Sequence, residues 1–333
     1  MIAAPAVAAG DRFSSGGIAS RATIAAADVP SPRHMRDATP PDRAHEPGPP
    51  RGAIPARAGV GFKSRHADEA LHAAHRVGWF EVHAENYMVR GGPRLRELEL
   101  LRARFPLSLH GVGLSLGGGQ APDRAHLAAL RALVDRFEPG LVSEHIAWSG
   151  HAGHYLADLL PVPLTGGALA RLVEAIVQTQ ESLRRRILIE NPATYFALPQ
   201  SEIPEPQFLT AAARASGCGL LVDVNNVFVS AHNLGFDAAG YVDALPAELI
   251  EEIHVAGHEH ERRDGDSILI DTHGAPVADE VWDLYARLIA RIGPRPTLLE
   301  RDNDVPPWFE LEAEARTAER IATAACRHAG SAA

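Results

Sequence analysis

Cysteine is almost missing from this chain: Cys218 and Cys326 are the only two among 333 residues. Two thiols without a CxxC spacing exclude a disulfide framework and fit a reducing compartment. Cys218, flanked by Gly217 and Gly219, reads as a small packing residue without a histidine partner for nucleophilic chemistry. Long apolar runs are missing too. No stretch approaches the roughly 18 residues needed to span a membrane, and no basic segment precedes the apolar start "MIAAPAVAAG" to make a secretory signal. Positive charge is in deficit, with 32 Lys plus Arg against 42 Asp plus Glu and a formal charge of −10. That balance disfavours a phosphate backbone as partner. The expectation is a cytoplasmic protein that engages neither nucleic acid nor membrane.

What is present is enough to build a large core: 46% of residues are hydrophobic and 22% charged, the texture of a globular protein. Residues 1–57, rich in Ala, Pro, Gly and Ser, show neither helical nor strand periodicity and read as a disordered leader. The folded domain is expected over 58–327, with a short disordered tail at 328–333. From "AGVGF" at 58–62 onward, apolar runs recur as "WFEVHAEN" (79–86), "PLSLHGVG" (106–113), "LVSEHIAW" (141–148), "RILIENP" (186–192), "GLLVDVNN" (219–226), "IEEIHVAGH" (250–258) and "TLLERDND" (297–304). Between them lie stretches such as "DRAHLAALRALVDRF" and "VADEVWDLYARLIARIG", whose apolar residues repeat at three- and four-residue spacing. Eight strands alternating with helices predict an α/β fold, a (β/α)8 TIM barrel. The rival, a doubly wound open sheet, wants a GxGxxG turn, and "GVGLSLGGG" lacks that spacing.

In a parallel barrel, chemistry gathers at the C-terminal strand ends. Those ends carry His66, His110, Glu144, Glu190, Asp223 with Asn225, His254 and Glu300, and the insertion "SILIDTHG" adds Asp271 and His273. Any one of these is more often a packing or capping group than a ligand. Their recurrence at the same end of nearly every strand reverses that, because several carboxylates buried together demand cations. Asp223 and Asn225, two residues apart, share a face if the strand continues, as do Asp271 and His273. The donors are all nitrogen and oxygen, which suits iron, manganese or zinc and excludes an iron–sulfur cluster. They exceed one ion's shell, so two or three ions are expected. His83 and Glu85, in the register of Glu81, are expected to orient ligands or meet substrate, as are Glu190, Asn191 and His258. His145 is expected to turn away from Glu144 and pack, and His258 and His260 to sit in a solvated polar loop from which His258 could reach substrate.

The motifs "EVHAENYM", "SLHGVGLSLG", "LVSEHIAW", "ILIENP", "LLVDVNNVFVSAHN", "EIHVAGH", "DTHG" and "LLERDNDVPP" resemble, in order across about residues 58–325, the multinuclear non-haem iron-dependent oxidative enzymes. This was long an uncharacterised bacterial domain family, and it includes the iron subunit that builds methanobactin. The resemblance implies a xylose isomerase-like barrel holding two or three irons in mixed Fe(II)/Fe(III) states. It implies oxidation of cysteine residues in a ribosomally made precursor peptide with dioxygen as co-substrate, and a separate partner protein that delivers the peptide. Carried over position by position, the ligands are His66, His110, Glu144, Asp223, Asn225, His254, Asp271, His273 and Glu300. Glu144 stands in a bridging place, and Glu144, His110 and Asp223 are the catalytic candidates. Two other readings use the same residues: a zinc- or manganese-dependent hydrolase or isomerase on such a barrel, and a non-catalytic metal-binding or peptide-chaperoning module.

Overall fold

In the computed structural model, the described residues are 53–331 apart from 152, 153, 264 and 265. Of the leader expected over 1–57, residues 1–52 lie outside them. In chain order the elements are β1 Ala58–Gly61, α1 Ala67–His72, β2 Phe80–His83, α2 Pro93–Arg102, β3 Leu107–Gly111, α3 Arg124–Phe137 and β4 Leu141–His145. There follow β5 Trp148–His151, β6 His154–Leu160, α4 Gly166–Leu183, β7 Leu188–Glu190, α5 Glu205–Ser216, β8 Gly219–Asp223, α6 Val224–Leu234 and α7 Ala238–Ala244. The chain ends with β9 Ile250–Val255, β10 Glu259–Arg263, β11 Asp266–Ile270, α8 Asp279–Ile292, β12 Thr297–Leu299 and α9 Trp308–Ser331. α9 therefore runs through residues expected to begin a tail at 328. No helix among the described residues is long and apolar enough to cross a membrane.

Eight strands close into a parallel barrel in the order β1-β12-β9-β8-β7-β4-β3-β2, and β5–β6 and β10–β11 are separate antiparallel hairpins inserted after β4 and β9. The helices begin and end where local chemistry dictates. Asp123 accepts a hydrogen bond from the His126 amide to cap α3, and Thr165 does the same for α4. α5 and α6 stop at left-handed Gly217 and Gly235.

Alternation along the strands divides the side chains between two environments. Val82, Leu109, Val142, Ile189, Val222, Ile253 and Leu299 face outward into the apolar layer under the helices. The opposite parity points into the barrel and is mostly polar at the C-terminal end: Glu81 and His83, Ser108 and His110, Ser143 and His145, Glu190, Asp223, Glu252 and His254. Leu188, Leu221 and Leu298 are buried but stand outside that apolar layer, and the same parity makes them the barrel's apolar floor.

The lower end is closed by Trp79, which is fully buried and donates its Nε1–H to the Arg57 carbonyl at 2.9 Å. A Cβ at Gly59 would lie 2.4 Å from the Trp79 ring. Gly59→Ala is therefore expected to lower stability by about 1–3 kcal/mol, as overpacking of a filled core does. An unchanged urea midpoint would show that the indole has room to shift.

Candidate metal centre

Four of the eight barrel strands stop at an inward-facing polar residue. β2 ends at His83, β4 at His145, β7 at Glu190 and β8 at Asp223. The chain then turns out of the ladder because these side chains and their neighbours take over the backbone's hydrogen bonds. Asp223 Oδ1 accepts from the Asn226 amide at 2.8 Å and so starts α6. Asn191 continues the β7–β8 pairing with its side chain, accepting from Asp223 N and donating to the Asp223 carbonyl, both at 3.0 Å.

The inward groups meet at the mouth. His110 Nδ1 is bonded to Ser143 Oγ at 2.8 Å, which leaves Nε2 toward Glu190 Oε2 at 3.4 Å. His145 Nε2 approaches the same oxygen at 3.2 Å. His254 Nδ1 lies 3.1 Å from Glu300 Oε2 and 3.8 Å from Glu190 Oε1, with its Nε2 3.4 Å from Glu81 Oε1. His273 bridges Asp271 Oδ1 at 2.7 Å, Asp302 Oδ2 at 3.4 Å and Glu300 Oε2 at 3.5 Å. Five overlapping triads of nitrogen and oxygen donors result, each with its ligand atoms within 4.8 Å of one another: His110–His145–Glu190, Glu190–Asp223–His254, Asp223–His273–Glu300, His83–Glu300–Asp302 and Glu81–Glu252–His254.

The electrostatics are those of a cation site. Burial, reinforced by the neighbouring carboxylates, holds the Glu190 and Glu252 carboxyls well above the usual range, and burial beside Asp271 pushes Asp223 up to about 7. Burial draws the His254 and His273 imidazoles down, but the acids around them outweigh it and raise both. Burial lifts Glu300, and the two imidazoles outweigh it in turn, holding its carboxyl well below normal. Glu190 Oε2, Asp223 Oδ2 and His254 Nε2 are buried without a hydrogen bond of good geometry among the described residues. Buried polar atoms are rarely left so. Unpartnered atoms in mixed imidazole–carboxylate triads fit divalent or trivalent metal ions, which would displace the protons these acids otherwise hold.

His110, Asp223, His254, His273 and Glu300 come together in linked triads, and Asp271 touches His273. Glu190 belongs to the triads themselves. His66 is elsewhere: its Nε2 hydrogen-bonds the Pro306 carbonyl at 2.9 Å and its ring packs on Trp308. Glu144 and His145 are exchanged relative to expectation. Glu144 has the outward parity and accepts from the Leu114 and His145 amides, each at 3.2 Å, while His145 turns inward. Asn225 is not on the strand with Asp223 but in the first turn of α6, from which its Nδ2 donates to Asp271 Oδ1 at 2.7 Å. Asp271 and His273 meet without an extended segment, since His273 has a left-handed backbone, φ 51°. Glu85 leaves the strand in a 3-10 turn and accepts from the Val112 and Gly113 amides. His258 is not in a solvated loop: its Nδ1 is bonded to Asn225 Oδ1 at 2.8 Å. His260 lies on β10 against Ser267.

Glu252 and Asp302 were missed, and Glu81 was noted only for its register. Glu252 and Glu81 stand two residues from the inward donors His254 and His83 on the same strands, so strict alternation would have found both, whereas Asp302 lies beyond the end of β12.

The family profile described as "RiPP precursor modification enzyme MbnB/TglH/ChrH" matches residues 57–323. A "UPF0276 protein" of Caulobacter vibrioides is 58% identical over 264 residues, covering 79% of this chain and 94% of that protein. One of Paraburkholderia phytofirmans is 49% identical, covering 79% and 86%. Among solved structures, an L-ribulose 3-epimerase superposes with TM-score 0.53 at 14% identity over 83% of this chain and 97% of its own. A xylose isomerase domain protein from Planctomyces limnophilus gives 0.51 at 12%, covering 81% and 96%. At those identities the likeness is one of fold, a xylose isomerase-like TIM barrel.

Metal analysis of variants tests the inward set. Asp223→Asn is expected to lose most bound metal and Glu144→Gln to keep it; the reverse order would overturn the assignment of strand faces. Gly257 supplies a further check, because its carbonyl accepts from His273 N at 3.0 Å and a Cβ there would fall 2.0 Å from the Ala275 carbonyl oxygen. Gly257→Ala should displace the segment bearing Asp271 and His273 and lower metal content in a chain that stays folded by circular dichroism.

Proposed function

The chain belongs to the MbnB/TglH/ChrH family of RiPP precursor modification enzymes, and we propose that it oxidises cysteine residues of a ribosomally made precursor peptide, using dioxygen and two or three non-haem iron ions held at the barrel mouth. The observation that carries this reading is the convergence of five donor triads on one buried mouth. His83, His110, His145, Glu190, Asp223, His254, His273, Glu300 and Asp302 would hold the ions, with Asp271 and Asn225 at the edge. When bound, iron supplies a Lewis acid for a thiolate and a one-electron couple able to engage dioxygen.

The protein's own groups do the remaining work. Asn191 fixes Asp223 by clamping its backbone on both sides. Leu188, Leu221 and Leu298 close the floor and keep water from entering beneath. At the rim, Asn225 donates to Asp271 and accepts from His258, which assigns the proton to His258 Nδ1 and leaves Nε2 with a free lone pair. Burial lowers the His258 pKa, so its imidazole is neutral near pH 7. His258 Nε2 takes the proton of the substrate thiol as the peptide enters, a general-base role suited to a neutral imidazole. A separate peptide-delivery protein completes the reading.

Co-expression with a cysteine-containing precursor peptide, followed by intact-mass analysis, tests the proposal. A peptide mass change that disappears without dioxygen is expected, together with iron in anaerobically purified protein. Zinc or manganese with an oxygen-independent change would favour a hydrolase or isomerase, and bound metal without any change a binding module. His258→Gln should keep iron content while lowering turnover at least tenfold, most strongly on the acid side of the thiol's pKa. Unchanged turnover would remove the base.

A further inference from the structure

A second cavity, of about 510 Å³, lies between the loop that follows β3 and the β5–β6 hairpin. Its lining includes Glu85, Asp123, His126, Ser149 and Tyr155. Glu85 divides its carboxylate between two tasks. Oε1 accepts from the Val112 amide at 3.1 Å and the Gly113 amide at 2.9 Å, and lies 3.2 Å from His126 Nε2. Oε2 is buried and has no partner. Across the cavity, Ser149 is 2% exposed, and its Oγ is equally without a partner. The Ser149 backbone is fixed, because its amide and that of Gly150 donate to Ser115 Oγ at 3.0 and 3.2 Å. Two carboxylates line the cavity, and no lysine or arginine does so among the described residues.

We infer that this cavity is a subsite for a cationic nitrogen group, an ammonium or guanidinium borne by the precursor peptide. The group donates to Glu85 Oε2 and Ser149 Oγ, filling two buried acceptors that nothing among the described residues satisfies. Tyr155, 65% exposed, stands at the rim, where its ring can cover the aliphatic stem or the cation itself. Location ties the cavity to the chemistry. Glu85 follows His83 by two residues, a span of at most about 7 Å, and the His83 ring sits 5.8 Å from that of His110. A basic residue a few positions from the modified cysteine would be held here. This deepens the peptide-oxidation reading and rests on it for the identity of the ligand's carrier.

The test separates the two. n-Butylguanidinium is titrated into the metal-loaded protein by ligand-observed NMR, with n-butanol as the neutral control. Saturable binding of the cation and none of the alcohol is expected. Glu85→Gln keeps an oxygen for the Val112 and Gly113 amides but puts an uncharged donor where Oε2 stood, so affinity should fall at least tenfold at unchanged melting temperature. Should that variant fold poorly, Ser149→Ala leaves the Ser115 contacts intact and should weaken binding severalfold. Equal affinity in the variants, or equal binding of n-butanol, would overturn the subsite. n-Butylguanidinium should also inhibit peptide modification competitively in the wild type and far less in Glu85→Gln. Because the titration needs no turnover, a chain that binds the cation through Glu85 yet modifies no peptide would sink the oxidative reading and leave the subsite standing.

Discussion

The structure is organised around one electrostatic constraint, the enclosure of many acids in the mouth of a barrel. Among the described residues, Glu81, Glu190, Asp223, Glu252, Glu300 and Asp302 contribute carboxylates to overlapping triads, together with five imidazoles. Ionised acids this close and this buried repel, and desolvation adds several kcal/mol for each unpaired charge. The chain by itself resolves the conflict by sharing protons: Glu190, Glu252 and Asp223 are raised, Glu300 is lowered, and His254 and His273 are raised to pair with it. Metal ions do the same job with more charge, and the unpartnered donor atoms are where they would attach.

Such a site is useful only if its donors cannot relax away from one another, and a recurring device prevents that. A polar side chain gives one atom to the backbone or a fixed neighbour and keeps the other for the site. Asp223 caps α6 with Oδ1 and leaves Oδ2 free. His110 gives Nδ1 to Ser143 and turns Nε2 to Glu190. Glu85 binds two amides with Oε1 and keeps Oε2 for the neighbouring cavity. Preorganisation of this kind is bought locally, residue by residue, rather than by the global packing of the barrel.

That device explains what the sequence made legible. The alternation of apolar runs with amphipathic stretches was enough for eight strands, helices and closure, because it depends on periodicity over many residues. The strand ends were harder. "LVSEHIAW" puts Glu144 and His145 side by side, and only the pairing of His110 with Ser143, and of His145 with Glu190, decides which of them faces inward. "VDVNN" was expected to stay extended through Asn225, whereas the capping capacity of Asp223 ends the strand there, so Asn225 reaches Asp271 from a helix. Polar residues near a strand's end are ambiguous for a physical reason: the properties that make them ligands also make them caps. The two hairpins escaped because short, partly exposed strands carry weak periodicity.

Those hairpins are where this barrel acquires its individuality. A barrel of this shape is shared with a sugar epimerase at 14% identity, so the closed sheet alone does not set the chemistry. The β10–β11 hairpin delivers Asp271 and His273 to the mouth, with the left-handed His273 backbone held between the Gly257 carbonyl and the Asp302 amide. The β5–β6 hairpin supplies Ser149 and Tyr155 to the second cavity. One insertion thus completes the wall of donor triads and the other lines the second cavity. Since the barrel strands, the segments directly after them and the β10–β11 insertion carry the triad donors, the β5–β6 hairpin can vary without removing a donor from any triad.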